Sequence, residues 1–142
     1  MFCRSLLRPR GKRFNLLMAK TILALLPERR DQQLAREALG RRYHLWLAKA
    51  RNRALDIVRQ GITPQLILAP MKSGDTTFLS LKEELSFLSP FKRAPFLIYV
   101  TEEERLIYAA QLRKADRIMP YPFTDIALLT AVDALLDRRR NP

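Results

Sequence analysis

A chain of 142 residues, 48% hydrophobic and 28% charged, is long enough to bury one domain core and too apolar to be a disordered segment. Its apolar runs, such as Ile22 to Leu26, are far too short to cross a bilayer as a helix, and a single cysteine, Cys3, excludes an internal disulfide and a cysteine-cluster metal site. The net charge of +12 lies almost wholly in the first half: residues 1–60 carry 15 Lys/Arg against 4 Asp/Glu, and residues 61–142 carry 11 against 10. A basic half of this kind attracts nucleic acid, anionic lipid or an acidic partner, or simply solvates a surface.

Residues 1–18 form a basic extension without an acidic residue. Their apolar pieces are too short for a secretory signal, and Met18 is an alternative start. Residues 19–142 form the domain. Thr21–Leu26 is an apolar run that suits a buried strand. Pro27 stops it and suits the first turn of a helix over Glu28–Leu39, with Gly40 at the C-cap position. Tyr43–Leu47 alternates weakly and is aromatic, hence a strand. Ala50–Gln60 sets Ala54, Leu55, Ile57 and Val58 on one helical face, ended by Gly61. Leu66–Ala69, between Pro64 and Pro70, is a buried strand, followed by a helix over Thr77–Leu88. Phe96–Val100 is a strand, and Glu102–Arg113 a helix whose three leading acids suit the macrodipole. Arg117–Met119 is a short strand. Thr124 caps a final helix that runs to Arg139.

Apolar strands alternating with amphipathic helices imply a parallel sheet covered on both faces. Right-handed crossovers then predict a doubly wound α/β fold, the flavodoxin-like (βα)5 arrangement with strand order 2-1-3-4-5. Ligands of such a fold sit beyond the carboxyl ends of the strands.

The series Pro64-Gln65-Leu66-Ile67-Leu68-Ala69-Pro70, Phe96 to Thr101 and Ala115 to Phe123 resembles the second half of a response-regulator receiver domain of two-component signal transduction, and the likeness extends over roughly residues 19–140. That resemblance implies a rim with defined chemistry: an acidic pair after the first strand to hold Mg²⁺, an Asp ending the third strand as phosphoacceptor, a hydroxyl after the fourth, and a lysine before Pro-Phe. Carried over by position, the acidic pair falls on Leu26 and Pro27, the acceptor on Pro70, the hydroxyl on Thr101 and the lysine on Tyr121. Pro122-Phe123 is retained, and the resemblance implies a cis peptide bond at Pro122. Only the hydroxyl survives. A proline cannot be phosphorylated, and a rim without oxygen ligands should hold no Mg²⁺. The rim is then an apolar plug of Leu26, Pro27, Pro70 and Tyr121.

The remaining candidates are weaker. His44 has no partner ligand in the sequence, so no metal site is expected. Asp75 reads as a loop residue and Trp46 as a packing or edge residue. Gly40, Gly61 and Gly74 lack a phosphate-cradling pattern. Tyr99, Tyr108, Tyr121 and Phe123 form a candidate interface on the fourth-strand side. Arg8, Arg10, Lys12 and Arg13 on the extension, with Arg29 and Arg30 on the first helix, are candidate nucleic-acid contacts, although no sequence-reading motif accompanies them.

These observations predict a cytoplasmic, phosphorylation-independent pseudo-receiver: a signalling module without enzymatic activity or cofactor, engaging a protein partner or a second copy of itself. The alternative is a nucleic-acid-associated regulator that uses the basic half.

Overall fold

The computed structural model describes residues 19–88 and 93–137. Its main sheet has five parallel strands: β1 (Thr21–Leu25), β2 (His44–Ala48), β3 (Leu66–Pro70), β6 (Phe96–Val100) and β7 (Arg117–Pro120). The spatial order is β2-β1-β3-β6-β7, which is 2-1-3-4-5 when only these five strands are counted. Between β3 and the next helix lies a two-stranded antiparallel hairpin, β4 (Lys72–Ser73) and β5 (Thr76–Thr77), that periodicity did not predict. Gly74 has φ +64° and Asp75 does not have a positive φ, the pattern of a type II′ turn.

The helices are α1 (Arg29–Leu39), α2 (Arg51–Arg59), α3 (Phe78–Leu88), α4 (Glu102–Ile107), α5 (Ala109–Leu112) and α6 (Asp125–Asp137). Alternation along the central strands divides the core in two. Ile22, Ala24, Leu68, Leu97 and Tyr99 pack with α1 and α6 on one face. Leu23, Leu25, Ile67, Ile98 and Val100 pack with α2, α3 and Leu112 of α5 on the other. Strands β3 and β6 are buried along their whole length, which is why they read as unbroken apolar runs.

Two local expectations are corrected, and the C-cap expected at Gly40 is found there. The helix predicted over 102–113 bends at Tyr108 (φ −107°, ψ 27°), although Tyr108 N–H still reaches Glu104 O and Leu112 N–H reaches Tyr108 O. The bend lets Tyr108 and Leu112 pack on the second core, whereas α4 itself buries no residue. Gly40 is right-handed (φ −62°), so its need for glycine is one of space: a Cβ there would lie 2.5 Å from Arg36 O. Pro27 precedes the N-cap residue Glu28 rather than sitting in the first turn of α1. The extension 1–18 and the chain beyond residue 137 lie outside the described residues.

Candidate functional site

The carboxyl ends of β1, β3, β6 and β7 converge on one rim. By the alternation of β3, residue 70 faces β1, and a proline there has no N–H to offer it. The β1–β3 ladder accordingly ends at Ala24↔Leu68, while Met71 N–H goes the other way, to Tyr99 O at 3.1 Å. Pro70 is buried and lies in register with Tyr99. The position that the resemblance gives to a phosphoacceptor is thus a strand end closed by a ring.

Leu26 is fully buried, and its carbonyl accepts a hydrogen bond from Gln32 Nε2 at 2.8 Å. Pro27 is exposed and does not join the packing at the rim, a correction to the predicted plug. Burying Leu26 turns the next residue outward.

Tyr121 follows β7, and its N–H extends the ladder to Val100 O at 2.7 Å. The Tyr121–Pro122 peptide bond is cis. The Tyr121 ring stacks on Tyr99 (centroids 5.1 Å apart, planes 30° apart) and meets Phe123 edge-on at 5.7 Å; Tyr99 and Phe123 are 5.3 Å apart. The Tyr121 hydroxyl donates to Asp31 Oδ2 at 2.8 Å. Asp31 belongs to the first turn of α1 and is only 5% exposed. The rim is therefore an aromatic cluster tied to a buried carboxylate, not a purely apolar plug.

This cluster alters its own acid–base chemistry. Burial first, then the negative charge of Asp31 and the ionised forms of its neighbours, raise the Tyr99 phenol well above its usual range. Burial and then the hydrogen bond to Asp31 raise that of Tyr121. Both phenols stay protonated near neutrality: Tyr121 serves as a hydrogen-bond donor and Tyr99 as a packing group, and neither as a nucleophile.

Thr101 is committed to structure. Its Oγ1 accepts from Glu104 N–H at 3.1 Å, and Glu104 Oε1 accepts from Thr101 N–H at 3.0 Å, a capping box that starts α4. Among the described residues no group of three His, Cys, Asp or Glu is placed to hold a metal ion, and His44 is exposed on β2.

The predicted interface is corrected at two of its four residues. Tyr99 and Phe123 are 7% and 6% exposed and belong to the first core, whereas Tyr108 packs on the second, across the sheet. Tyr108 and Tyr121 are half-buried, so of the four only they present appreciable surface to solvent. The exposed apolar residues of this region are Leu106 (76%), Ile107 (64%), Ile118 and Ile126 (74%), on α4, β7 and α6. Helix α4 has apolar residues but buries none against its own domain.

Arg29 and Arg30 are exposed on α1; Arg8, Arg10, Lys12 and Arg13 lie outside the described residues. Among the described residues, Arg29, Arg30, Arg36 and Arg41 enter no ion pair, whereas Arg42 pairs with Asp133, Arg51 with Glu84 and Arg59 with Asp56. Because α1 and α2 cover opposite faces, the arginines do not make one patch.

No protein-family model and no curated protein matches the chain. Solved structures do match in fold. A streptococcal protein described as one of a novel family of redox sensors evolved from two-component response regulators superposes with a TM-score of 0.74 at 24% identity, over 86% of this chain and 53% of its own. A response-regulator receiver domain from Clostridium thermocellum matches with a TM-score of 0.71 at 15% identity, over 85% and 97%. The Vibrio cholerae chemotaxis protein CheY4 matches with a TM-score of 0.67 at 19% identity, over 82% and 98%. The chain spans about half the length of the streptococcal sensor and nearly the whole of the other two. Its fold is that of receiver domains, and among the described residues no helix is long and apolar enough to cross a membrane.

Proposed function

We propose that this protein is a regulatory receiver-like module that works by protein contact, without enzymatic activity, without phosphorylation and without Mg²⁺, in the cytoplasm. The observation that carries the proposal is Pro70: the strand end that would present an acceptor carboxylate is a buried proline in register with Tyr99. Leu26 and Pro27 provide no side-chain oxygen for a cation, and the Tyr121–Asp31 pair occupies the neighbouring part of the rim. A receiver switches by shifting between two packings in response to a phosphoryl group. A rim held by stacked aromatics and a part-buried hydrogen bond favours one packing. The partner surface is the exposed apolar set on α4, β7 and α6.

The test is an amide NMR titration with beryllofluoride and Mg²⁺. No movement of Thr101, Tyr121 or Met71 resonances is expected, and a saturable shift there overturns the proposal.

Arg29 and Arg30, exposed and without an ion pair among the described residues, support a second reading, an electrostatic contact with nucleic acid. It predicts binding of duplex DNA or single-stranded RNA without sequence preference, weakening steeply with salt. Replacing Arg8, Arg10, Lys12, Arg13, Arg29 and Arg30 by Gln in the full chain should remove the binding and flatten the salt slope. Absence of binding near physiological salt eliminates this reading.

A further inference from the structure

At the opposite end of the sheet from the rim, the amino-terminal ends of β3 and β6 open onto a cavity of about 570 Å³ between α2 and α3. This volume falls within the range of small-molecule sites, roughly 300–1,000 Å³. Its wall is apolar: Val58 of α2, Ile67 of β3, Leu79 and Leu85 of α3, and Phe96 of β6. Ile67 and Phe96 are also part of the second core, so this wall is fixed by the sheet.

The lining also carries charged groups. Lys82 is half-buried, with its Nζ 5.7 Å from the Phe96 ring centroid and donating to Lys114 O at 2.9 Å. Among the described residues Lys82 has no carboxylate within ion-pair distance. Arg93 and Lys114 add positive charge at the same mouth, and Glu83 and Asp116 oppose it. Asp116 still counts in this balance while its Oδ2 accepts from Phe96 N–H at 2.7 Å, so Lys82, Arg93 and Lys114 face Glu83 and Asp116 with positive charge in excess. An ammonium held at the edge of an apolar concavity, without a carboxylate of its own, attracts an anion more strongly than a surface lysine does.

We propose that this cavity is a ligand site for a small amphipathic anion, one with an aromatic or aliphatic body and a single carboxylate, sulfonate or phosphate. The body lies against the accessible Leu79, Ala94 and Pro95, over a floor of Ile67 and Phe96, and the anionic group pairs with Lys82 Nζ. The site is independent of the rim, so ligand binding would act on the domain from the end where no receiver chemistry is expected.

The test uses 8-anilinonaphthalene-1-sulfonate and its uncharged counterpart N-phenyl-1-naphthylamine with the full chain. Fluorescence titration should give saturable one-to-one binding of the sulfonate, with amide shifts concentrated at Leu79, Lys82, Phe96 and Lys114. The uncharged compound should bind about tenfold more weakly, as should the sulfonate to Lys82→Met, which keeps the apolar stem and removes the charge. Leu79→Trp, which fills the cavity, should abolish saturable binding. Absence of saturation, equal affinity of the two compounds, an unchanged affinity in Lys82→Met, or amide shifts centred on Leu106 and Ile107 would each overturn the proposal. Lys82→Met lies on an accessible helix position and reports even where Leu79→Trp fails to fold.

Discussion

The hydroxyl of Tyr121 donates to Asp31 Oδ2 at 2.8 Å, joining the end of β7 to the first turn of α1 across 90 residues of sequence. Both ends of this bond are held. The Tyr121 ring is stacked on Tyr99, and Asp31 is placed by a helix whose inner face packs on the first core. Tyr121→Phe keeps the stacking and leaves the 5%-exposed carboxylate of Asp31 without this donor. The expected loss is about 1–3 kcal/mol in urea unfolding. Because Asp31→Asn removes the charge from the same pair, the double variant should be more stable than the sum of the single effects implies. Additive losses would mean that the two groups do not interact.

On the proposed reading, introducing an acceptor carboxylate alone should not produce phosphoryl transfer. Pro70→Asp places a carboxylate at a buried strand end with no cation-binding oxygens at Leu26 or Pro27. A buried charge without a partner costs about 3–5 kcal/mol. The variant should melt well below the parent, and intact-mass measurement after incubation with acetyl phosphate and Mg²⁺ should show no phosphoryl adduct. An adduct of stoichiometric yield would show that the rim still binds the cation.

Thr101 should behave as a helix cap and not as a phosphate contact. Thr101→Val removes the Oγ1 acceptor of Glu104 N–H, with an expected loss of about 1 kcal/mol. Since α4 buries no residue, the loss should appear locally. Hydrogen exchange should quicken at Glu104, Arg105 and Tyr108 while β6 stays protected, and Thr101→Ser should retain most of the protection. Uniform loss across β6 would mean that Thr101 supports the core instead.

Much of this architecture is legible in the sequence because its physical cause is local. The runs Leu66–Pro70 and Phe96–Val100 are apolar throughout since both sheet faces are covered, and Thr124 sits where a cap is needed, its Oγ1 accepting from Ala127 N–H. The rim was half legible. The composition of Leu26, Pro70 and Tyr121 follows from position, but Asp31 lies in a helix that reads as polar overall and does not stand out as part of the rim. Its signal was there: Asp31 falls on the same helical stripe as Leu34, Ala35 and Ala38, so a carboxylate on that stripe had to find a buried donor. Tyr108 was misassigned because it sits at the bend between α4 and α5, which a continuous helical spacing over 102–113 does not reveal. The β4–β5 hairpin has two-residue strands, too short for any periodicity, and only Gly74-Asp75 marks its turn. The basal cavity comes from four distant segments and has no signature along the chain.

The exposed apolar residues of α4 should matter for association and not for stability. Leu106 and Ile107 are 76% and 64% exposed, so Leu106→Lys with Ile107→Lys removes little buried area and should change stability by no more than about 0.5 kcal/mol. The parent chain should show concentration-dependent self-association in sedimentation velocity, and the double variant should remain monomeric. Equal association of parent and variant would move the contact away from this face.

Alkaline pH should weaken the domain through Tyr99. Burial, then the negative charge of Asp31 and of the other acids around the rim, raise its folded pKa above the value of 10.0 for an unperturbed tyrosine. Above that value the unfolded chain has lost the phenolic proton and the folded chain has kept it, so the unfolded state binds fewer protons and stability falls as pH rises. The Tyr99 contribution is fully present below about pH 10 and declines from there upward until the folded group also titrates. The raised pKa of Tyr121 acts in the same direction, more weakly because that ring is partly exposed. Urea unfolding at pH 8 and pH 11 should therefore show a smaller drop for Tyr99→Phe than for the parent. An identical drop in the two proteins would mean that other groups, such as the surface lysines, carry the alkaline instability.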